Sequence, residues 1–194
     1  MSIGISHREY PKSEPRWIAG GALLSHPERP GAQPLYRYAL ERWWDTPGAF
    51  VLWVMLNPST GTASDDDPTI QRVVQRTRHH FPTAAGLKIV NLFAWRGARP
   101  SALAPVGFDA AVGNPHNDEM VRSFSASAVA TVVGWGRGTG VPRDWLLRRE
   151  RDVAAILNNP LCLGVTDGRP RHPKPQNQTQ LPLNAPLLPW SVNP

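Results

Sequence analysis

Four short apolar runs punctuate the chain: FVLWVML (50–56), LKIVNLF (87–93), SAVATVVGW (127–135) and LCLGVT (161–166). Each is rich in β-formers and does not alternate with polar residues, the pattern of a strand buried on both faces. Helical periodicity occupies the intervals, in DPTIQRVVQRTRHHF, HNDEMVRSFSAS and PRDWLLRRERDVAAILNN. In the last of these, Trp145, Leu146, Val153, Ile156 and Leu157 share one face, and Arg148, Arg149, Glu150 and Asp152 the other. Strand and helix in alternation predict an α/β fold with three layers, α/β/α. Its centre is a four-stranded parallel sheet joined by right-handed crossovers. LYRYALERWW (35–44) mixes strand and helix spacing and decides for neither. Residues 1–34 are proline-rich without a sustained period and read as an irregular N-terminal arm. Residues 35–194 then form a single domain, whose tail GRPRHPKPQNQTQLPLNAPLLPW is too rich in proline to continue the sheet.

Composition sharpens this picture. With 194 residues and 41% hydrophobic content, the chain can bury one substantial core. Its 21 Lys and Arg against 15 Asp and Glu leave a formal charge of +6, which favours an anionic partner such as nucleic acid. Most of the cations are arginine, whose planar fork suits phosphates and base edges. Cys162 is the only cysteine, so an intrachain disulfide and a cysteine-based zinc cluster are both excluded. No stretch approaches the roughly 18 apolar residues of a spanning helix, and the start lacks an apolar leader. The expectation is a cytoplasmic protein, monomeric and free of the membrane.

In open parallel sheets the ligand lies outside the carboxyl ends of the strands, so the residues that follow each run matter most. Asn57-Pro58-Ser59-Thr60 follows the first run, and Asn91 lies within the second, with AWRGARP after it. Trp135-Gly136 ends the third, and Arg171-His172-Pro173 comes shortly after the fourth. Asp65, Asp66 and Asp67 crowd the loop after Asn57. Asp67-Pro68-Thr69 is also a helix start, with Asp67 as the N-cap and Pro68 at the first helical position.

This order of motifs resembles the uracil-DNA glycosylase superfamily: Asn-Pro after the first strand, Asn with Arg and Pro downstream in the second, Trp-Gly, then His-Pro. The first motif is most like the mismatch-specific and single-strand-selective branches, whose loop reads Gly-hydrophobic-Asn-Pro-Gly. LNPST, DDPTI, VNLFAWR and PRHP also resemble an uncharacterised bacterial and phage family of unknown function. Together the resemblances span roughly residues 35 to 175.

The superfamily resemblance implies a glycosylase-like fold and a monofunctional DNA glycosylase that leaves an abasic site, with no metal or cofactor. Asn57 would position the attacking water, and His172 would stabilise charge on the base's carbonyl oxygen. Asn91 would read the pyrimidine edge, for which an amide supplies both a donor and an acceptor. Pro58 and Ser59 would border the base. A carboxylate beside the developing oxocarbenium ion has the right sign, which makes Asp66 and Asp67 the catalytic candidates, with Asp65 beside them. Phe93 and Trp95 are the leading stacking candidates, with Trp43, Trp44 and Trp53 behind them. Arg96, Arg99, Arg169, Arg171 and Lys174 would meet phosphates if DNA lies across the strand ends. Where the superfamily places a wedge after His-Pro, this chain has Lys174 and Gln176 and no leucine. Uracil-selective relatives carry a bulky aromatic soon after the first proline, whereas Ser59, Thr60 and Gly61 are small. The target expected is therefore a C5-substituted pyrimidine, such as a hypermodified phage cytosine, in repair or in defence against phage DNA. Two other classes stay open: a metal-dependent nuclease or phosphohydrolase using Asp65–Asp67 with His172, and a non-catalytic reader of modified bases.

Overall fold

The computed structural model describes residues 15–18, 22–25, 35–44, 46–59, 66–174 and 181–192. Thr60, Gly61, Asp65 and Gln176, singled out above, lie outside the described residues. Four strands correspond to the four apolar runs: β4 (Phe50–Met55), β5 (Gly86–Asn91), β6 (Ala130–Val133) and β7 (Leu161–Cys162). They lie parallel in the order β5-β4-β6-β7. β4 is buried along its whole length, as its unbroken apolar sequence requires.

The sheet is wider than four strands, which corrects the expectation. Three antiparallel strands extend one side: β3 (Arg37–Trp43) on β5, β2 (Ala22–Ser25) on β3, and β1 (Pro15–Ile18) on β2. At the other side β10 (Leu188–Pro189) pairs antiparallel with β7, giving a sheet of eight strands among the described residues. The segment expected to be an irregular arm thus supplies two strands, and the proline-rich tail supplies one. Proline is tolerated there because Pro15 and Pro189 sit on the outermost strands, where a missing N–H leaves no inner ladder unpaired. The ambiguous 35–44 stretch resolves as β3, buried in its first half and half-exposed from Glu41 onward.

The fourth apolar run is also shorter than expected. Gly164, at φ 94°, breaks it after β7, and the chain turns into a small hairpin of β8 (Val165–Thr166) and β9 (Arg169–Pro170). That hairpin carries the following residues back toward the end of β6, where Gly136 N–H donates to the Pro170 carbonyl at 3.0 Å.

Helices cover both faces. On one side Ile70 and Val73 of α1 (Pro68–His80) pack with Trp53, Met55 and Leu87, together with Leu181 and Ala185 of the tail. On the other, α2 (Phe108–Val112), α3 (His116–Ser127) and α4 (Arg143–Ala154) bury Ala111, Val121, Phe124, Leu146 and Val153 against Leu52, Val54 and Val90. Two α4 residues depart from the amphipathic pattern. Arg149 and Glu150, expected on the outer face, are 1% and 5% exposed. Arg149 donates Nε to the Leu92 carbonyl and Nη2 to Asp118, and Glu150 accepts from Trp135 Nε1 and Arg169 Nε. Specific partners therefore outweigh helical periodicity at these two positions.

Among the described residues no helix is long and apolar enough to cross a membrane.

Candidate functional site

From β4 the chain passes to β5 on one side and later to β6 on the other, so the carboxyl end of β4 is the switch point of the parallel block. A crevice is expected at such a point. A cavity of about 370 Å³ opens there, within the roughly 300–1,000 Å³ typical of small-molecule sites. Met55, Ile70, Val73 and Ile89 make its apolar lining, and Arg37, Asn57, Ser59, Asp67, Asn91 and His172 add polar groups to it.

Asn57 follows β4. Its Nδ2 donates to the carbonyls of Gly97 and of Pro58, both at 3.2 Å, and Gly97 N–H returns a bond to Pro58 O at 3.1 Å. The amide nitrogen is thereby tied to the protein, which leaves Oδ1 to accept from a ligand or water. Pro58 is buried and contributes this carbonyl, and it is not among the lining residues.

Asp67 both caps a helix and lines the cavity. Its Oδ1 accepts from the N–H groups of Thr69 at 2.7 Å and Ile70 at 3.0 Å, the N-cap arrangement expected from Asp-Pro-Thr. Oδ2 accepts from Ser59 Oγ at 3.2 Å. Asp66 is placed differently: it forms an ion pair with Arg42 Nε at 2.6 Å and does not line the cavity. Of the two candidate carboxylates, the structure brings only Asp67 to the cavity. The difference is one residue of phase, because the capping geometry turns Asp67 toward the helix axis and the residue before it toward β3.

Asn91 is the last residue of β5, paired with Met55 of β4. It is 3% exposed, and its side-chain amide makes no hydrogen bond within the described residues. Its carbonyl is held at 3.1 Å by Asn117 Nδ2, which also reaches Leu92 O. A buried amide with both functions free, on a strand end fixed by α3, is prepared for a ligand with a complementary edge.

His172 reaches the cavity because β6 ends in glycine. A Cβ on Gly136, at φ 72°, would lie 3.2 Å from His172 Cβ, and one on Gly134 would lie 3.1 Å from Pro173 Cδ. The imidazole Nδ1 sits against the backbone of Lys174, 3.0 Å from its oxygen and 3.2 Å from its nitrogen, so Nε2 is the ring nitrogen left for a ligand. Burial holds its pKa below the ordinary histidine value, against the raising effects of the Lys174 carbonyl and Asp67. The ring is therefore neutral at pH 7.

A family model described as "Protein of unknown function (DUF1643)" matches residues 37–174, more than half of the chain. The chain belongs to this family. Searches of the curated proteins and of the solved structures find no match. The span shared with the DUF1643 family begins at Arg37 and takes in Asn57, Asp67, Asn91 and His172.

The aromatic candidates fall elsewhere. Phe93 is fully buried in the core against Phe108, and Trp95 packs edge-on against Tyr36. Trp43, Trp44 and Trp53 donate their indole N–H groups to Glu41, Ala84 and Thr77. None of the five lines the cavity; Trp135 does. Its Nε1 is held by Glu150 at 2.8 Å and its ring meets Trp190 edge-on. The Trp-Gly motif after the third run was its signal.

The expected phosphate-binding residues divide. Arg99 and Lys174 are exposed, beside the lining residues Pro100 and, two positions on, His172. Arg96 is half-buried, with its pKa lowered by burial, and Arg171 is half-buried; neither lines the cavity. Arg169 is tied to Glu150. Arg137, not foreseen, lines the cavity and pairs with Asp167 at 2.8 Å. Among the described residues no three His, Cys, Asp or Glu side chains group to hold a metal ion.

Proposed function

We propose that this chain is a DNA glycosylase that hydrolyses the N-glycosidic bond of a flipped, C5-substituted pyrimidine and leaves an abasic site. The observation that carries this assignment is the meeting of Asn57, Asp67, Asn91 and His172, from four separate segments, on one cavity. Each brings a group the reaction needs.

Asn91 offers a donor and an acceptor to the base edge, in a setting where no protein group competes for them. Asn57, with its nitrogen tied back, presents Oδ1 to the water that attacks the sugar. Asp67 supplies a fixed negative charge for the oxocarbenium ion, where preorganised electrostatics contributes most. In the tautomer whose Nδ1 accepts from the Lys174 amide, His172 carries its proton on Nε2 and donates to the base carbonyl as the bond breaks. The base leaves with the bonding electron pair, water adds to the sugar carbon, and the proton that this water loses passes through the Asp67 carboxylate to the departing base. Ser59, small beside the cavity, leaves room for a C5 substituent.

The decisive experiment is mass spectrometry of free bases after incubation with DNAs that differ only in cytosine modification, in the presence of EDTA. Release of a hydroxymethylated or glucosylated base, with abasic sites that break only in hot alkali, is the expected result. Strand cleavage that needs a divalent ion would replace this assignment with a nuclease. Tight binding without base release would leave a non-catalytic reader.

A further inference from the structure

Three arginines of the described residues are 5% exposed or less, and two of them have no sealed donor left without a partner. Arg76 donates to the carbonyls of Pro173, Leu181, Pro182 and Leu183, and Arg149 to Leu92 and Asp118. Arg37 is the contrast. It opens β3, lines the cavity, and is 5% exposed, yet its Nε and Nη1 are sealed from solvent and have no acceptor.

Among the described residues no carboxylate forms an ion pair with it. Burial, Arg96 and Arg42 all depress its pKa, while Asp67 raises it, and the outcome of about 10 leaves the guanidinium protonated at neutral pH. Asp66 pairs with Arg42, and Asp67, whose hydrogen bonds go to two backbone N–H groups and the Ser59 hydroxyl, acts on Arg37 only through its charge. A buried cation with orphaned donors is among the costliest features a fold can carry. Here the guanidinium borders the cavity, and its Nη2 is not among the sealed atoms, so an anion bound there can offset the charge.

We propose that Arg37 is the receptor for an anionic oxyacid group, a phosphate or a carboxylate, carried by the ligand that fills the cavity. Only the nucleobase part of that ligand rests on the proposed glycosylase function; the anion site stands on the surroundings of Arg37 alone. The anion can sit on the sugar, as a 5′-phosphate, or on the base, as an acidic C5 substituent. Either oxyacid matches a guanidinium better than an ammonium.

Calorimetric titration of the full chain with two matched pairs tests this: deoxyuridine 5′-monophosphate against deoxyuridine, and 5-carboxyuracil against uracil. In one pair the anionic member is expected to bind at least about tenfold tighter, a charge-assisted bond's worth. The pair that shows the preference identifies where the anion sits. Arg37→Met should abolish the preference and raise the Tm of the ligand-free protein, because an unpaired buried charge has been removed. Arg37→Lys should retain part of the preference. No anionic preference in either pair, or one unchanged in Arg37→Met, overturns the proposal. So does an Arg37→Met chain that is less stable or fails to fold, since Arg37 is then structural. Release of neutral bases by a protein without anion preference would sink the anion site and leave the glycosylase assignment standing; anion binding without base release would do the reverse.

Discussion

Arg76 Nε donates to the carbonyl oxygen of Pro173 at 3.1 Å, tying the middle of α1 to the residue after His172. The same guanidinium reaches Leu181 O at 2.9 Å, Pro182 O at 3.0 Å and Leu183 O at 3.1 Å. One fully buried side chain thus anchors the His-Pro segment and the start of the tail to a single helix. Arg76→Met leaves these carbonyls without their donor and should cost about 2–3 kcal/mol in urea denaturation. Exchange of the Leu181 and Leu183 amides should rise with it; unchanged stability and exchange would mean that the clamp is inert.

Gly136 is required twice, by its φ of 72° and by the approach of His172. Gly136→Ala should cost about 1–2 kcal/mol for the left-handed backbone alone. Base release should fall by more than the folded fraction does, because the new methyl group pushes against the His172 Cβ. A loss of activity that only tracks unfolding would count against this contact as a determinant of the site.

The two roles of Asp67 separate by substitution. Asp67→Asn keeps a competent N-cap, so stability should change by less than about 0.5 kcal/mol, whereas Asp67→Ala should cost about 1 kcal/mol. On the proposed chemistry both should slow base release by roughly a hundredfold or more. Single-turnover release that is normal in Asp67→Asn would reduce Asp67 to a cap.

His172 should make folding sensitive to acid. Its pKa is held below the ordinary value near 6.5 by burial, with the nearby Lys174 ammonium acting the same way and the Lys174 carbonyl and Asp67 opposing. As pH falls below about 6.5 the unfolded chain binds a proton that the folded chain does not, so stability declines until the folded pKa is reached, and this group adds no further loss below it. His172→Asn should flatten that part of the stability profile. If the slopes of variant and parent coincide, the imidazole is not the group responsible. Base release should be insensitive to pH just above 6.5, where the ring stays neutral.

Much of this molecule was legible in the chain. Unalternating apolar runs located the four parallel strands, because a strand buried on both faces admits few polar residues. Periodicity located the helices flanking them, and Asp-Pro-Thr announced the cap of α1. Motif order placed Asn57, Asn91 and His172 at strand ends, and these three do share a cavity. The outer strands were hidden, since edge positions tolerate the prolines and polar residues that normally argue against a sheet. Periodicity also could not show that Arg149 and Glu150 turn inward, because their partners come from distant segments. Only the tertiary structure decided which of two adjacent aspartates faces the cavity, which tryptophan borders it, and that Arg37 lies buried there without an acceptor. Local sequence governs whether a segment extends or coils; whether a charged side chain finds a partner depends on groups tens of residues away, and folding alone brings those into reach.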